Sequence, residues 1–292
     1  MSTQLSLFKH LVLELLASRQ DARVPEPELI MDDTDQAEAF MLAGREDGVI
    51  APTYLFHTLQ LSQLIKPGDD VLDLACGPAN QLAQVARVHP DANFVGVDAS
   101  PEMLELAGET VQRFGLENVR FETRYIQNLE GMTDNSMDVV MSTMSLHHLP
   151  DVSVLQATFR EAARVLKPDG AVYLADFSRL KREQTRRFFA EQHKEQQSEI
   201  FTADYLNSLR AAFTSQEFKQ AMGIFGPSTR FNSTALVPFM VVVHRGERHT
   251  VTNKALEECQ AIFQGLHPAQ QQDFSDLKHF FSLGGLPTPQ FL

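Results

Sequence analysis

One short segment, residues 71–80, limits this chain to a small set of folds. It reads Val-Leu-Asp-Leu-Ala-Cys-Gly-Pro-Ala-Asn, an apolar run with one acid that stops at Gly77 and Pro78. Because a helical pattern begins at Gln81, the segment predicts a buried strand, a tight turn and a helix. A turn without bulky side chains lets the backbone approach a ligand, and the helix start offers unpaired N–H groups. We therefore expect a ligand site at this turn.

A second apolar strand supports that expectation. Residues 93–97 read Asn-Phe-Val-Gly-Val and end at Asp98, which lies 21 residues after Gly77. An acid at the end of a neighbouring strand, at about this spacing, is typical of a carboxylate that binds the two hydroxyls of a ribose. The two strands together predict a nucleoside site.

Strand and helix patterns alternate from residue 70 onward, as in a parallel sheet with right-handed crossovers. The predicted strands lie near 70–75, 93–98, 119–123, 137–142 and 171–176, and the predicted helices near 80–88, 102–114 and 153–166.

Helical segments flank this core on both sides. Before it, apolar periodicity predicts helices over 3–19, 34–43 and 53–65, which we interpret as a cap. After it, the polar stretch 179–198 predicts an exposed helix, and Thr214 followed by Glu217 has the form of a capping box. We expect three units: a helical cap over 1–65, a core over 66–246 and a helical extension over 247–292.

Composition narrows the classes of partner. Lys and Arg number 25 against 38 Asp and Glu, a formal net charge of −13, which opposes binding to nucleic acid. We find no apolar run near the ~18 residues of a membrane span and no leader pattern at the start, so the expected location is cytoplasmic. The two cysteines, Cys76 and Cys259, predict free thiols. The sequence leaves open whether the chain forms a homodimer.

The same residues resemble a known family. Asp73, Gly77 and Asp98, with Val-Asp-Ala-Ser-Pro-Glu-Met-Leu over 97–104, are similar to the nucleoside-binding half of class I S-adenosylmethionine-dependent methyltransferases. The resemblance covers 66–176 and continues more weakly to about 245. It implies an α/β fold, a Rossmann-like and mostly parallel seven-stranded sheet with helices on both faces and a final hairpin that adds one antiparallel strand.

The resemblance also implies the cofactor, S-adenosyl-L-methionine, and residues that bind it. Two departures are visible: alanines 75 and 79 stand where glycines are usual, and Arg-Tyr-Ile over 124–126 replaces Gly-Asp-Ala. The charged segment over 44–52, which connects the second and third cap helices, is expected to reach the cofactor. The alternative is that Arg45 in this segment forms a surface ion pair with Glu46 or Asp47. The expected cofactor residues are Asp73, Ala75, Gly77, Asp98, Ala99, Met103, Tyr125, Ile126, Ser142, Arg45 and Tyr54.

The acceptor side is expected at the end of the fourth strand, where 143–150 reads Thr-Met-Ser-Leu-His-His-Leu-Pro. His147 and His148 are candidate general bases, and so is Asp176 at the end of the fifth strand. The alternative is that the two histidines only hold the loop. For substrate contact we expect His57, Met144 and His147. The histidines show no metal-ligand spacing, so no metal is expected.

Three functions remain open at this stage. The leading one is methyl transfer to a small-molecule acceptor through an O, C, N or S nucleophile, by in-line displacement in which proximity does most of the work. A second is a protein that binds S-adenosylmethionine without transferring the methyl group. A nicotinamide dehydrogenase is disfavoured because the turn has Gly77 alone in place of G-x-G-x-x-G.

Overall fold

The computed structural model describes residues 3–27, 30–31 and 33–289. Its centre is a seven-stranded sheet with the order β3-β2-β1-β4-β5-β7-β6, in which β7 runs antiparallel to both neighbours and the other pairings are parallel. This confirms the predicted sheet and its final hairpin. The strands are β1 (Asp70–Leu74), β2 (Asn93–Asp98), β3 (Val119–Thr123), β4 (Met137–Thr143), β5 (Leu166–Phe177), β6 (Arg230–Ser233) and β7 (Met240–Arg245).

Helices lie before, between and after the strands. They are α1 (Thr3–Leu16), α2 (Thr34–Ala43), α3 (Ala51–Leu61), α4 (Asn80–Val88), α5 (Pro101–Phe114), α6 (Val152–Val165), α7 (Glu183–Ala190), α8 (Glu199–Ala211), α9 (Ser215–Ala221), α10 (Asn253–Gly265) and α11 (Pro268–Leu283), with a 3-10 turn over Leu146–His148. No helix among the described residues is long and apolar enough to cross a membrane.

Two apolar cores cover the two faces of the sheet. Successive strand residues point to opposite faces, so Val71 belongs to one core and Leu72 to the other. The first core joins the sheet to α3, α4, α10 and α11, and the second joins it to α6 and α9. Each fully buried Leu, Val or Phe contributes about 1.5–3 kcal/mol relative to exposure. Both faces are therefore held by helix burial, as a parallel sheet requires.

Helix α3 belongs to the layer that covers the sheet. Phe56 is fully buried and stacks on Phe281 of α11, with ring centroids 4.7 Å apart. The C-terminal helices α10 and α11 pack against α3, so the extension covers the first face. The expected boundary at residue 65 therefore divides a packed layer, whereas none of the described residues of α1 belongs to either core.

The segment after β5 differs from its prediction. The helix expected over 179–198 covers Glu183–Ala190 alone, and it is not wholly exposed, because Arg186 is buried and its guanidinium binds Asp21, Glu183 and the Leu180 carbonyl. Helix α8, capped by a side chain at its start, was not predicted. The capping box that starts α9 is confirmed.

Candidate active site

Two adjoining cavities open at the carboxyl ends of the parallel strands, where ligands bind in open α/β sheets. The smaller, of about 110 Å³, lies above β1 and β2, and the larger, of about 220 Å³, lies above β4 and β5. They share three lining residues, Phe40, Met144 and His148. The smaller cavity is lined by nine of the expected cofactor residues, which are Asp73, Ala75, Gly77, Asp98, Ala99, Met103, Tyr125, Ile126 and Tyr54.

The turn after β1 has a strained backbone. Ala75, Gly77 and Ala79 have φ angles of 55°, 53° and 60°, in the left-handed region. This conformation costs an alanine roughly 1–2 kcal/mol, whereas glycine adopts it freely. The two alanines therefore adopt the turn geometry for which glycines are usual at these positions, and this lowers the stability of the folded chain.

Asp98 organises this turn from the end of β2. Its Oδ2 accepts a hydrogen bond from the backbone N–H of Gly77 at 2.8 Å, and its Oδ1 accepts one from the N–H of Ser100 at 3.0 Å. The carboxylate therefore links the first two strands directly beside the smaller cavity, which Asp98 lines.

Asp73 gives the smaller cavity a second acid. It is 2% exposed at the end of β1. Burial, and then the charge of Asp98, raise its pKa well above the ordinary range. A cationic ligand group would relieve both effects. Nearby, Gln81 donates its amide to Thr58 at 2.9 Å, and its Oε1 is buried without a hydrogen-bond partner. The cavity thus offers the carboxyl of Asp73 and one unsatisfied amide oxygen to a donor such as an ammonium group.

Two of the expected cofactor residues do not line the smaller cavity. Ser142 is buried behind it, where its Oγ donates to the Leu74 carbonyl at 2.8 Å and lies 2.7 Å from the Oγ of Ser145. Arg45 lies in the turn after α2, and the same part of the cap contributes Phe40 instead. Cofactor contact by Ser142 and Arg45 stays a prediction.

Sequence reasoning missed several residues of the smaller cavity. Cys76 and Gln81 stand within or next to the opening motif, which is the signal that could have identified them. Arg124 and Gln127 flank the predicted pair in the third strand's loop. Ile30, Met31 and Phe40 come from the segments before the core, and no local pattern marks them.

The larger cavity is built from separated parts of the chain. Leu7 and Leu11 come from α1, Phe177 ends β5, and Phe280 comes from α11. Helices α7 and α8, the segment between them and the loop before β7 supply twelve more lining residues. Met144 and His147, for which substrate contact stays a prediction, both line it. Met144 has a φ of 53°, a strained geometry at the junction of the two cavities.

His147 is held by Asp176. Its backbone N–H donates to Oδ2 at 2.8 Å, and its ring Nδ1 lies 2.7 Å from Oδ1. Because a carboxylate accepts only, Nδ1 donates and Nε2 remains for other partners. Burial alone would lower the pKa of His147, but the charge and hydrogen bond of Asp176, with the charges of Glu26 and Asp204, raise it overall. Asp176 does not itself line either cavity, so it acts through His147.

His148 has the opposite electrostatic setting. Burial, and then the neighbouring His147, lower its pKa to about 3, so it is neutral near pH 7.

Glu26, His147 and His148 each carry an atom that can ligate a metal ion, and these atoms lie within 4.8 Å of one another. This is a set of groups that could hold a metal ion, which the spacing of the histidines alone did not indicate because Glu26 is far away in sequence.

His57 lies away from both cavities. It is fully buried on α3, with Nδ1 at 2.8 Å from the hydroxyl oxygen of Tyr173, and burial lowers its pKa to about 3. The structure therefore places it in the core beneath the site, where it does not reach a substrate in either cavity.

A sequence model described as a methyltransferase domain matches residues 65–224, more than half of the chain. The chain belongs to the class I S-adenosylmethionine-dependent methyltransferase family. The matched region contains both strands of the predicted nucleoside site, His147, His148 and Asp176.

The named relatives of this chain differ in acceptor. An arsenite methyltransferase of Halobacterium salinarum is 37% identical over 111 residues, which are 38% of this chain and 27% of that one. A demethylmenaquinone methyltransferase of Lactobacillus johnsonii is 33% identical over 116 residues, 39% of this chain and 46% of that one. A trans-aconitate 2-methyltransferase of Deinococcus radiodurans is 38% identical over 107 residues, 37% of each chain. The matches thus span between a quarter and a half of these relatives.

Solved structures share the fold. A methyltransferase from Aquifex aeolicus superposes with a TM-score of 0.52 at 18% identity, over 73% of this chain and 97% of that one. One from Methanococcus maripaludis, titled a putative S-adenosyl-L-methionine-dependent methyltransferase, gives 0.56 at 16% identity, over 78% and 98%.

Proposed function

We propose that this methyltransferase transfers the methyl group of S-adenosylmethionine to a nucleophilic atom of a small-molecule acceptor. The observation that carries the proposal is the junction of the two cavities at Phe40, Met144 and His148, with His147 beside it. A donor in the smaller cavity and an acceptor in the larger one would meet at that junction. The relatives named above act on arsenite, demethylmenaquinone and trans-aconitate, which supports a small acceptor.

The smaller cavity suits the cofactor. Asp98 would bind the ribose hydroxyls, since its carboxylate faces the cavity from the end of β2. Asp73 and the unpartnered oxygen of Gln81 would receive the ammonium of the methionine part. Tyr125 and Ile126 would contact the adenine, mainly through apolar and backbone groups. The two acids favour a cationic ligand, which disfavours a nicotinamide dinucleotide with its pyrophosphate.

Bound S-adenosylmethionine supplies an electrophilic methyl group on a sulfonium. His147 would accept the acceptor's proton at Nε2 while the new bond to the methyl carbon forms and the carbon–sulfur bond breaks, so that S-adenosylhomocysteine and the methylated product leave. Asp176 holds the tautomer that leaves Nε2 free for this step. General base catalysis contributes about 10²–10⁴-fold where a proton must leave, and alignment of the reactants contributes more.

The competing function is binding of S-adenosylmethionine without transfer. A base held by a buried acid, beside a separate apolar cavity, has no use in a protein that only binds the cofactor. This favours transfer over binding alone.

One experiment separates the two functions. The purified protein is incubated with methyl-labelled S-adenosylmethionine and fractionated metabolite extracts, and the masses of labelled products identify the acceptor. We expect a labelled product that is lost in His147→Ala and kept in His279→Asn, a variant of an exposed histidine outside both cavities. Tight cofactor binding by calorimetry with no labelled product in any fraction would contradict transfer.

A further inference from the structure

The larger cavity is strongly aromatic. Phe189 and Phe239 stack with their centroids 4.2 Å apart, and Phe177 lies 5.4 Å from Tyr205. Phe201, at 6.0 Å from Tyr205, continues the same wall. Ring faces carry partial negative charge and attract cations, while their area favours an apolar ligand body.

The charged side chains that line this cavity are mostly acidic. Among the described residues that line it there are three carboxylates, Asp204, Asp273 and Asp276, and neither lysine nor arginine. Its titratable bases are His147, His148 and His193. Of these, His147 already lies 2.7 Å from Asp176, and His193 lies 3.5 Å from Asp273. A ligand in this cavity therefore meets an excess of negative charge.

Asp204 is the deepest of the three acids. It is 6% exposed on α8, and one of its oxygens accepts a hydrogen bond from the side chain of Gln36. Burial raises the pKa of Asp204, and the Gln36 bond and His147, which is shared with Asp176 and Glu26, offset this only in part. Arg23, which lies near Glu26, does not line the cavity. A buried carboxylate without a full counter-charge is costly, and a cationic ligand would offset that cost.

Resting on the methyl transfer proposed above, we infer that the acceptor is an apolar molecule that carries a basic nitrogen, and that Asp204 binds this nitrogen among the aromatic rings. The cavity selects against acceptors with a carboxylate or phosphate, because no lysine or arginine is among the described residues that line it. The seven aromatic side chains of the wall hold the apolar body.

The alternative role of Asp204 is structural, since its bond to Gln36 joins α8 to α2. Asp204→Asn separates the two roles. The asparagine keeps an oxygen that can accept from Gln36 but removes the charge. A structural loss would weaken every ligand of the cavity alike, whereas loss of charge recognition weakens an ammonium ligand alone.

Three matched probes test the inference on the full chain with saturating S-adenosylhomocysteine. They are 2-naphthylethylamine, 2-naphthylethanol and 2-naphthylacetic acid, and calorimetry at pH 7.5 and fixed ionic strength gives their dissociation constants. The amine should bind at least tenfold more tightly than the alcohol, and the acid more weakly than both. In Asp204→Asn the amine should lose about tenfold while the alcohol is unchanged. The control Asp91→Asn, at an exposed acid outside the cavity, should change none of them.

The outcomes distinguish the two proposals. If the acid binds as tightly as the amine, if the amine does not bind, or if Asp204→Asn leaves the preference for the amine intact, the inference is overturned while cofactor binding and transfer stand. If S-adenosylhomocysteine itself does not bind to the wild-type chain, the proposed function fails first.

Discussion

Asp176 binds His147 twice, through the backbone N–H at 2.8 Å and through ring Nδ1 at 2.7 Å. One buried carboxylate thus fixes the position of the residue and the tautomer of its ring. The pair lies where the fourth and fifth strands end, directly beside the junction of the two cavities. This arrangement leads to the first prediction.

The first prediction concerns pH. Burial lowers the pKa of His147, but Asp176 and the nearby acids raise it above 6.5 overall. Since a base must be neutral, kcat/KM should fall as the pH falls through that raised pKa. Asp176→Asn removes the charge, so the acid limb of the profile should move to lower pH, with a loss of at least tenfold at the optimum. The profile is measured with the acceptor found by labelling. An acid limb that stays in place would contradict the role of Asp176.

The second prediction concerns Asp98. Asp98→Ala removes the expected ribose acceptor and also the bonds to the N–H groups of Gly77 and Ser100. Charge-assisted hydrogen bonds contribute about 1.5–3 kcal/mol each, so cofactor affinity should fall at least tenfold. Calorimetry with S-adenosylmethionine measures the change, with Asp91→Ala as the control. An unchanged dissociation constant in a variant that melts cooperatively would remove Asp98 from the site.

The third prediction concerns Asp73. Burial and the charge of Asp98 raise its pKa in the folded chain, so the unfolded chain loses this proton first as pH rises. The folded state is therefore weakened between the unfolded and folded pKa values, and the cost remains at neutral pH. Asp73→Asn should raise the apo melting temperature at pH 7 by roughly 2–4 °C, while S-adenosylmethionine binds at least tenfold more weakly. A lower melting temperature without ligand would show that the charge stabilises the fold.

The fourth prediction concerns helix α1. Glu14 is buried, and its carboxylate accepts hydrogen bonds from the backbone N–H groups of Lys181 and Arg182 at 2.7 and 3.0 Å. Leu7 and Leu11 of the same helix line the larger cavity but not the smaller one. Glu14→Ala should therefore raise the acceptor KM at least threefold and leave the cofactor dissociation constant unchanged.

Steady-state kinetics and calorimetry on Glu14→Ala, beside Glu257→Ala at an exposed position of α10, would check this. A parallel loss of cofactor affinity would mean that α1 supports both cavities.

Much of the core could be predicted from the sequence. The apolar runs of β1 and β2, Gly77 in the turn and Asp98 at a strand end are local signals, because backbone conformation depends on nearby residues. Asp73, Asp98 and Tyr125 were expected at one cavity and do line it. Helix α8 was missed although seven of its thirteen residues are apolar, and the face that it buries packs against α2 and α7.

The sequence by itself determined the mostly parallel seven-stranded sheet, through the family resemblance, and the turn that lines the smaller cavity. Only the tertiary structure decided which distant residues meet there. Phe40 reaches both cavities, Glu26 lies beside His147, and Asp204 lies deep in the larger cavity, each from a segment outside the central strands. His57 shows the converse, since packing of α3 places it in the core. Periodicity reports which face of an element is buried, but not which partner covers it, because that partner is chosen by packing between elements far apart along the chain.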